Sequence, residues 1–239
     1  MTTVIGVLAK PMGWLLMGLY DLIGNYGIAI VVFTIIVKFA LYPLYAKQIK
    51  STARMSSVQP KVQAIQQKYA NDQKTMNIKL QELYKEENFN PMGGCLPMLI
   101  QMPIIFGLFA LLRNPLLYIS DDSMLFGIHD SFLWMMDLSQ PDKWIIPIAA
   151  GVATFISFSM SQNQLQQPSG ANQSQGMMKA MKIIFPVMIV WIGRTFPAGL
   201  AIYWFVGQVV QIFFNLHLNK MRRKLQAEIE AKNKKEKKK

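Results

Sequence analysis

Tyr26 to Ala46 is an apolar stretch with a single charge, Lys38, and four more stretches carry no charge except a terminal arginine in two of them: Gly93 to Arg113, Trp144 to Ser161, Ile183 to Arg194 and Ala198 to Leu216. A helix needs about 20 mostly apolar residues to cross a hydrocarbon core of ~30 Å. The pattern predicts an all-α integral membrane protein with five transmembrane helices, the fourth of them short. Composition agrees, because 52% of residues are hydrophobic and 16% charged, against about 25% charged in soluble domains.

The charge that is present is lopsided, with 25 Lys+Arg against 13 Asp+Glu. Basic residues concentrate in segment 47–92, which holds eight of them, and in the tail 217–239, which holds ten. Segment 114–143 has one lysine and five aspartates. Lys and Arg accumulate on the cytoplasmic side, and five spans put segment 47–92 and the tail on the same side. The N-terminus is therefore expected outside and the C-terminus in the cytoplasm, with 114–143 an extracellular loop and 162–182 a second cytoplasmic loop, polar and flexible over its Gln-, Ser- and Asn-rich part.

Residues 1–25 are apolar but divided by Lys10-Pro11. Beyond the break, Trp14, Leu15, Leu19, Leu22 and Ile23 recur at helical spacing, which predicts an N-terminal helix lying in the membrane interface. A signal peptide or a sixth span fits the same stretch, although no A-x-A-like site follows it. In 47–92, Met55, Val58, Val62, Ile65 and Tyr69, then Met76, Leu80, Leu83 and Tyr84, repeat at three- and four-residue intervals around the turn at Ala70-Asn71-Asp72. That spacing predicts a cytoplasmic helical hairpin whose apolar faces meet, with Pro60 kinking or starting its first arm.

Lys38 stands eight residues from the inner end of its span, about 12 Å along a helix, farther than its stem alone reaches by snorkelling. No Asp or Glu occurs between 21 and 72, between 87 and 121, or between 142 and 228, so no span offers it a carboxylate. An unpaired ammonium in hydrocarbon must lose its proton or stay wet. Trp204, Gln208, Gln211 and Asn215 follow at i, i+4, i+7 and i+11, one face of the fifth span. Thr34 lies one turn before Lys38, Thr154 and Ser157 share a face of the third span, and Gln101 lies on the second. Ordinary interhelical hydrogen bonding accounts for any one of these residues. The fifth-span stripe taken together with Lys38 favours a hydrophilic groove.

Catalytic, metal and cofactor chemistry have no visible home. Cys95 and the two distant histidines give no zinc spacing, the aspartates of 114–143 fit no calcium loop, and no nucleophile–base pair, Walker loop or dinucleotide fingerprint occurs. We expect no enzyme, no metal and no cofactor. A proton- or ion-coupled transporter usually carries an intramembrane Asp, Glu or His, which the spans lack. A channel or small-solute transporter is the alternative class, and a structural assembly factor a third.

Asn90-Pro91-Met92-Gly93-Gly94-Cys95-Leu96-Pro97-Met98-Leu99-Ile100-Gln101-Met102-Pro103-Ile104 resembles the loop-to-second-span signature of the YidC/Oxa/Alb membrane insertases. Phe196-Pro197-Ala198-Gly199-Leu200-Ala201-Ile202-Tyr203-Trp204 is similar to that family's fifth-span entry, Lys38 followed by Tyr42-Pro43-Leu44 to its first-span motif, and Gln59-Pro60-Lys61 to its hairpin. The motifs run in matching order from Tyr26 to Leu218. The resemblance implies an insertase and chaperone of the bacterial cell membrane, of the five-span type. Such a protein receives nascent membrane proteins in the groove, moves short polar segments across without ATP and releases the apolar helix into lipid. It implies a substrate groove at Lys38, Thr34, Gln101, Trp204, Gln208 and Gln211, with Tyr203, Thr154, Ser157 and Asn215 as further lining. Most members carry Arg where Lys38 stands, and Lys keeps the charge but lacks the planar fork. Trp204 replaces the more usual Tyr.

Arg222, Arg223, Lys224, Lys234, Lys235 and Lys237 make the tail a contact for anionic lipid or for ribosomal RNA. The resemblance makes the ribosome a partner and leaves room for a Sec-type translocon.

Overall fold

The computed structural model describes residues 2–87, 96–113, 117–118, 127–164 and 172–236. Its helices are α1 (Thr2–Ile23), α2 (Tyr26–Ala40), α3 (Tyr42–Lys68), α4 (Gln73–Glu86), α5 (Leu96–Arg113), α6 (Ile145–Gln164), α7 (Asn172–Gly193) and α8 (Ala198–Glu236). Among the described residues there is no strand, only an isolated bridge between Phe132 and Met135. Among the described residues one stretch, Ala198–Leu225, is long and apolar enough to cross a membrane by length and composition. Shorter apolar helices cover Tyr26–Ala40, Gln101–Leu112, Ile145–Ser161 and Ala180–Gly193.

Several boundaries differ from those read in the sequence. Lys10-Pro11 does not divide α1, because Ala9 and Leu16, on either side of the proline, are both fully buried. A proline removes one helical hydrogen bond, and packing of the two flanking turns tolerates that loss. The helix ends at Gly24, whose φ of 69° is the left-handed cap that glycine adopts at least cost, and its N–H donates to Tyr20 O at 2.7 Å.

The first apolar stretch, read as 26–46, is helical as α2 only to Ala40. Its N-cap is Asn25, whose side chain accepts from Ile28 N, and its C-cap is Leu41. Pro43 follows two residues later, and helices tend to end shortly before a proline, whose ring crowds the preceding turn. The polar connector read at 162–182 is largely helical, since α6 runs on to Gln164 and α7 starts at Asn172. Met, Lys and Ala in 177–182 are good helix formers, so α7 begins well before its apolar part. Likewise α8 stays helical through the basic tail to Glu236; the sequence favours helix from Leu218 to Ala231 and Lys-rich coil beyond it.

The fold divides into two compact units. The first comprises Met1–Leu41, Met98–Phe158 and Lys182–Phe213. Its core gathers Leu16, Tyr26, Phe33, Leu108, Leu111 and Tyr203, and α1 packs on α2. Segment 127–144 is pinned to the helix ends of this unit. Tyr26 N donates to Asp130 Oδ2 (3.3 Å), Ala198 N to Gln140 O (2.9 Å) and Gly199 N to Leu138 O (3.3 Å). Asp142 caps α6, accepting from Trp144 N at 3.0 Å, Ile145 N at 3.3 Å and Ile146 N at 3.2 Å.

The second unit comprises Tyr42–Pro97, Ser159–Met181 and Phe214–Lys239. Here α3 and α4 form the expected hairpin, and Val58 and Leu83 are buried between them with Val62, Ile65 and Tyr84 packed alongside. Asp72 caps α4 by accepting from Thr75 N (3.0 Å) and Thr75 Oγ1 (2.6 Å). Those bonds hold its carboxyl below the ordinary aspartate range. Lys61 and Glu87 form an ion pair across the hairpin. Pro60 lies inside α3 and neither starts nor ends it. Tyr42 meets Phe214 of α8 edge-on and Tyr45 meets it at a tilt, with ring centroids 5.1 and 6.0 Å apart.

Candidate functional site

The polar residues singled out in the sequence meet at two places in the first unit. At the first, Lys38 is 5% exposed and its Nζ donates to Gln101 Oε1 at 3.3 Å. The same amide donates from Nε2 to Tyr203 Oη at 2.9 Å. One glutamine therefore bridges α2 and α8, with its carbonyl dipole turned toward the ammonium and its amino group toward the phenol. Tyr203 is buried, and its ring lies 6.5 Å from that of Phe33. Gly207, one turn after Tyr203 on the same face, leaves room for the lysine stem; a β-carbon there would stand 3.2 Å from Lys38 Cε and 3.7 Å from Thr34 Cγ2.

Thr34 is fully buried and donates its hydroxyl to Ile30 O in the preceding turn (2.7 Å). Its proton is thereby committed to the backbone, and only an oxygen lone pair remains for a ligand.

At the second place, Trp204 Nε1 donates to Thr154 Oγ1 at 3.0 Å, while Thr154 donates to Ala150 O at 2.6 Å. The indole packs against Phe185 (6.3 Å), which in turn meets Phe158 (5.9 Å). Ser157 is buried near this point on α6 and has a bonding partner. Successive residues of a helix diverge by about 100°, so Tyr203 and Trp204 send α8 toward α5 and α6 respectively. Gln208 and Gln211 are half-buried farther along α8. Asn215 is buried but belongs to the second unit.

Arg223 and Lys224 are exposed on α8, Arg222, Lys234 and Lys235 lie on the same helix, and Lys237 falls outside the described residues. So do Asn90 to Cys95 of the second-span signature, and Asp121 and Asp122.

Gly207, Phe33, Phe158 and Phe185 were not singled out in the sequence. Gly207 was legible through its i+4 spacing from Tyr203; the three phenylalanines carried no signal that separates them from other apolar positions.

Among the described residues no group of three or more His, Cys, Asp or Glu is placed to hold a metal ion. His129, Asp137 and Ser139 cluster, but Asp137 Oδ2 and Ser139 Oγ both lie 3.2 Å from the same ring nitrogen, Nδ1. A serine–histidine–carboxylate relay needs both ring nitrogens, so the cluster is a clasp within its loop.

The sequence matches the 60Kd inner membrane protein family over residues 18–226. A membrane protein insertase YidC of Fusobacterium nucleatum is 38% identical over 213 residues, covering 89% of this chain and 95% of the relative. The chain belongs to the YidC membrane protein insertase family. YidC 2 of Listeria innocua is 37% identical over 87% of this chain and 69% of its own length. YidC of Shewanella loihica is 39% identical over 86% of this chain, which spans only 35% of that longer protein. A crystal structure of an active YidC insertase, with its first transmembrane domain resolved, superimposes with a TM-score of 0.58 at 31% identity. The superposition covers 88% of this chain and 45% of the other. The family model is that of an inner membrane protein, and the curated relatives are named membrane protein insertases.

Proposed function

We propose that this YidC-family chain receives nascent membrane proteins at a hydrophilic groove between α2, α5, α6 and α8, moves short polar segments across the membrane without ATP and releases apolar helices sideways into lipid. The observation that carries this reading is the Lys38 ammonium, buried at 5% exposure and bonded to an uncharged amide. Gln101 holds it in place through a carbonyl oxygen, and the positive charge favours an incoming acidic group.

Five spans, formed by the apolar parts of α2, α5, α6, α7 and α8, would place α1 in the outer interface and the hairpin and basic tail in the cytoplasm. The 15 residues of α2 reach about 22 Å, short of a ~30 Å hydrocarbon core. Such mismatch thins the bilayer locally and shortens the path for a polar segment. Polar groups unsatisfied in hydrocarbon cost several kcal/mol each, and a groove lined by Gln101, Thr154, Gln208 and Gln211 lowers that barrier by being polar partway across.

Arg222, Arg223, Lys224, Lys234, Lys235 and Lys237 supply the charge with which the tail docks on ribosomal RNA or anionic lipid. A Sec-type translocon is a further partner, for substrates too polar for the groove alone.

The test is reconstitution in protein-free liposomes with a single-span substrate bearing a short acidic or a neutral outer tail, read by protease protection. Wild type and Lys38→Arg should protect both tails. Lys38→Ala should lose about tenfold on the acidic tail, equivalent to ~1.4 kcal/mol, and less on the neutral one. Equal protection of acidic tails by all three proteins would remove the charge from the mechanism.

A further inference from the structure

Segment 127–144 commits its acidic groups inward and exposes large apolar side chains at one tip. Asp130, Asp137, Ser139 and Asp142 are half-buried and spend their oxygens on backbone N–H groups or on one another's neighbours. Leu133 is 70% exposed, Trp134 49% and Met136 90%. Three large apolar side chains within four residues of one tip are more than scattered surface exposure.

The exposed tip is also rigidly made. Phe132 N donates to Met135 O (2.9 Å) and Met135 N to Phe132 O (3.0 Å), which closes a two-residue hairpin turn over Leu133 and Trp134. Leu133 has a φ of 56°, the left-handed region in which tight hairpins favour Gly, Asn or Asp. A leucine held there against its backbone preference is an apolar side chain kept for what it touches. Phe132 beneath the tip lies so close to Gly27 of α2 that a β-carbon on the glycine would fall 2.3 Å from Phe132 Cγ.

One carboxylate then decides where the tip sits. Trp134 Nε1 donates to Asp142 Oδ2 at 3.0 Å, and Asp142 is the residue that caps α6. The Trp134 indole is thus tied to the start of α6, where Trp144 just before the helix and Ile145, Ile148 and Val152 on it are all exposed. The Arg194 guanidinium lies 3.9 Å from the centre of the Trp144 ring, a cation at the same helix end. Tryptophan beside an apolar helix surface, with a basic group alongside, is the chemistry of the membrane–water boundary.

We propose that Leu133, Trp134 and Met136 form an anchor that inserts into the outer leaflet of a phospholipid bilayer at the headgroup–acyl boundary. The anchor continues the lipid-facing side of α6 and fixes the depth and tilt of the helices it caps. The proposal rests on the membrane-spanning reading given above.

Cys95 is the chain's one cysteine, so a Cys95→Ser background accepts single nitroxide labels at Met136→Cys, Lys143→Cys and Val187→Cys. All three positions are exposed, so the substitutions touch no packing. The full chain is reconstituted in phosphatidylcholine–phosphatidylglycerol vesicles, and each label's collisions with oxygen, which prefers lipid, are compared with those with a water-soluble nickel chelate. The oxygen-to-nickel ratio should be several-fold higher at 136 than at 143 and should approach that at 187, on the exposed face of α7. A lipid-like 187 with a water-like 136 overturns the anchor and leaves the spanning reading intact. A 136 label shielded from both reagents means a protein partner, a second copy included, and overturns the anchor too. Water-like ratios at both 136 and 187 overturn the spanning reading along with it.

Discussion

The stem of Lys38 crosses the face of Gly207, with only 3.2 Å between Lys38 Cε and the place a β-carbon would take. A lysine stem gives way by a few tenths of an ångström, so Gly207→Ala is tolerated, and alanine's better helix propensity offsets the crowding by up to ~1 kcal/mol. A branched side chain leaves the stem no path. Gly207→Leu should lose protection of acidic substrate tails about as far as Lys38→Ala does. The same change made in a Lys38→Ala background should cost nothing further, since both act through one interaction. Additive losses would separate the two residues.

Gly27 meets the root of the Phe132 side chain, Cβ at 2.7 Å and Cγ at 2.3 Å from an added β-carbon, where rotamer changes bring little relief. Gly27→Ala should therefore destabilise by about 1–3 kcal/mol despite its gain in helix propensity. Thermal unfolding in detergent measures it. Phe132→Ala in the Gly27→Ala background should recover part of the loss, and a simple sum of the two effects would mean that the contact does not govern the site.

How much of this was legible in the sequence depends on the range of the interaction. The two arms of the hairpin follow from local periodicity, and the helices α6 and α8 run through the apolar stretches 144–161 and 198–216. Helix ends were misread wherever composition and backbone preference part company. Asn172 starts α7 well before the chain turns apolar, and Leu41 ends α2 while the chain is still apolar because Pro43 follows. Gln101 could be recognised as a polar residue in an apolar stretch. Its bridge from Lys38 to Tyr203, 63 and 102 residues away, exists only once three helices pack. The stripe Trp204, Gln208, Gln211 and Asn215 was read as one face, yet Trp204 reaches Thr154 while Asn215 belongs to the other unit. A stripe of polar residues gives the angle around a helix and not what stands opposite each turn.

Thr154 both donates to Ala150 O and accepts from Trp204 Nε1. Thr154→Val keeps the shape and removes the acceptor, so it should cost about 0.6–1 kcal/mol and alter the Trp204 fluorescence. Thr154→Ser keeps the acceptor and should restore both. An unchanged spectrum in Thr154→Val would mean that the indole finds another partner.

Burial raises the affinity of the Asp142 carboxyl for a proton, but the Trp134 indole N–H and three backbone N–H groups together outweigh it and hold the carboxyl below the ordinary aspartate range. A group lowered on folding stabilises the fold above its unfolded value, about 3.9, and that contribution is lost as pH falls through the lower folded value. Stability should be insensitive to this group at neutral pH and should decline in acid below about pH 4. Asp142→Asn should flatten that part of the profile. Identical acid profiles for the two proteins would place the acid sensitivity elsewhere.

Leu133 adopts a φ of 56° that glycine takes at little cost. Leu133→Gly should relieve about 1 kcal/mol of backbone strain, set against the greater entropy glycine loses on folding. The turn should therefore fold at least as well, with the Trp134–Asp142 bond retained. Because the substitution also removes the most prominent apolar group of the turn, stability and membrane contact should move apart. Thermal unfolding in detergent should rise or hold, while in vesicles a nitroxide at position 136 should shift toward the aqueous quencher. If both measurements fall together, the leucine is packing for the turn itself; if neither changes, the backbone is unstrained and the side chain idle.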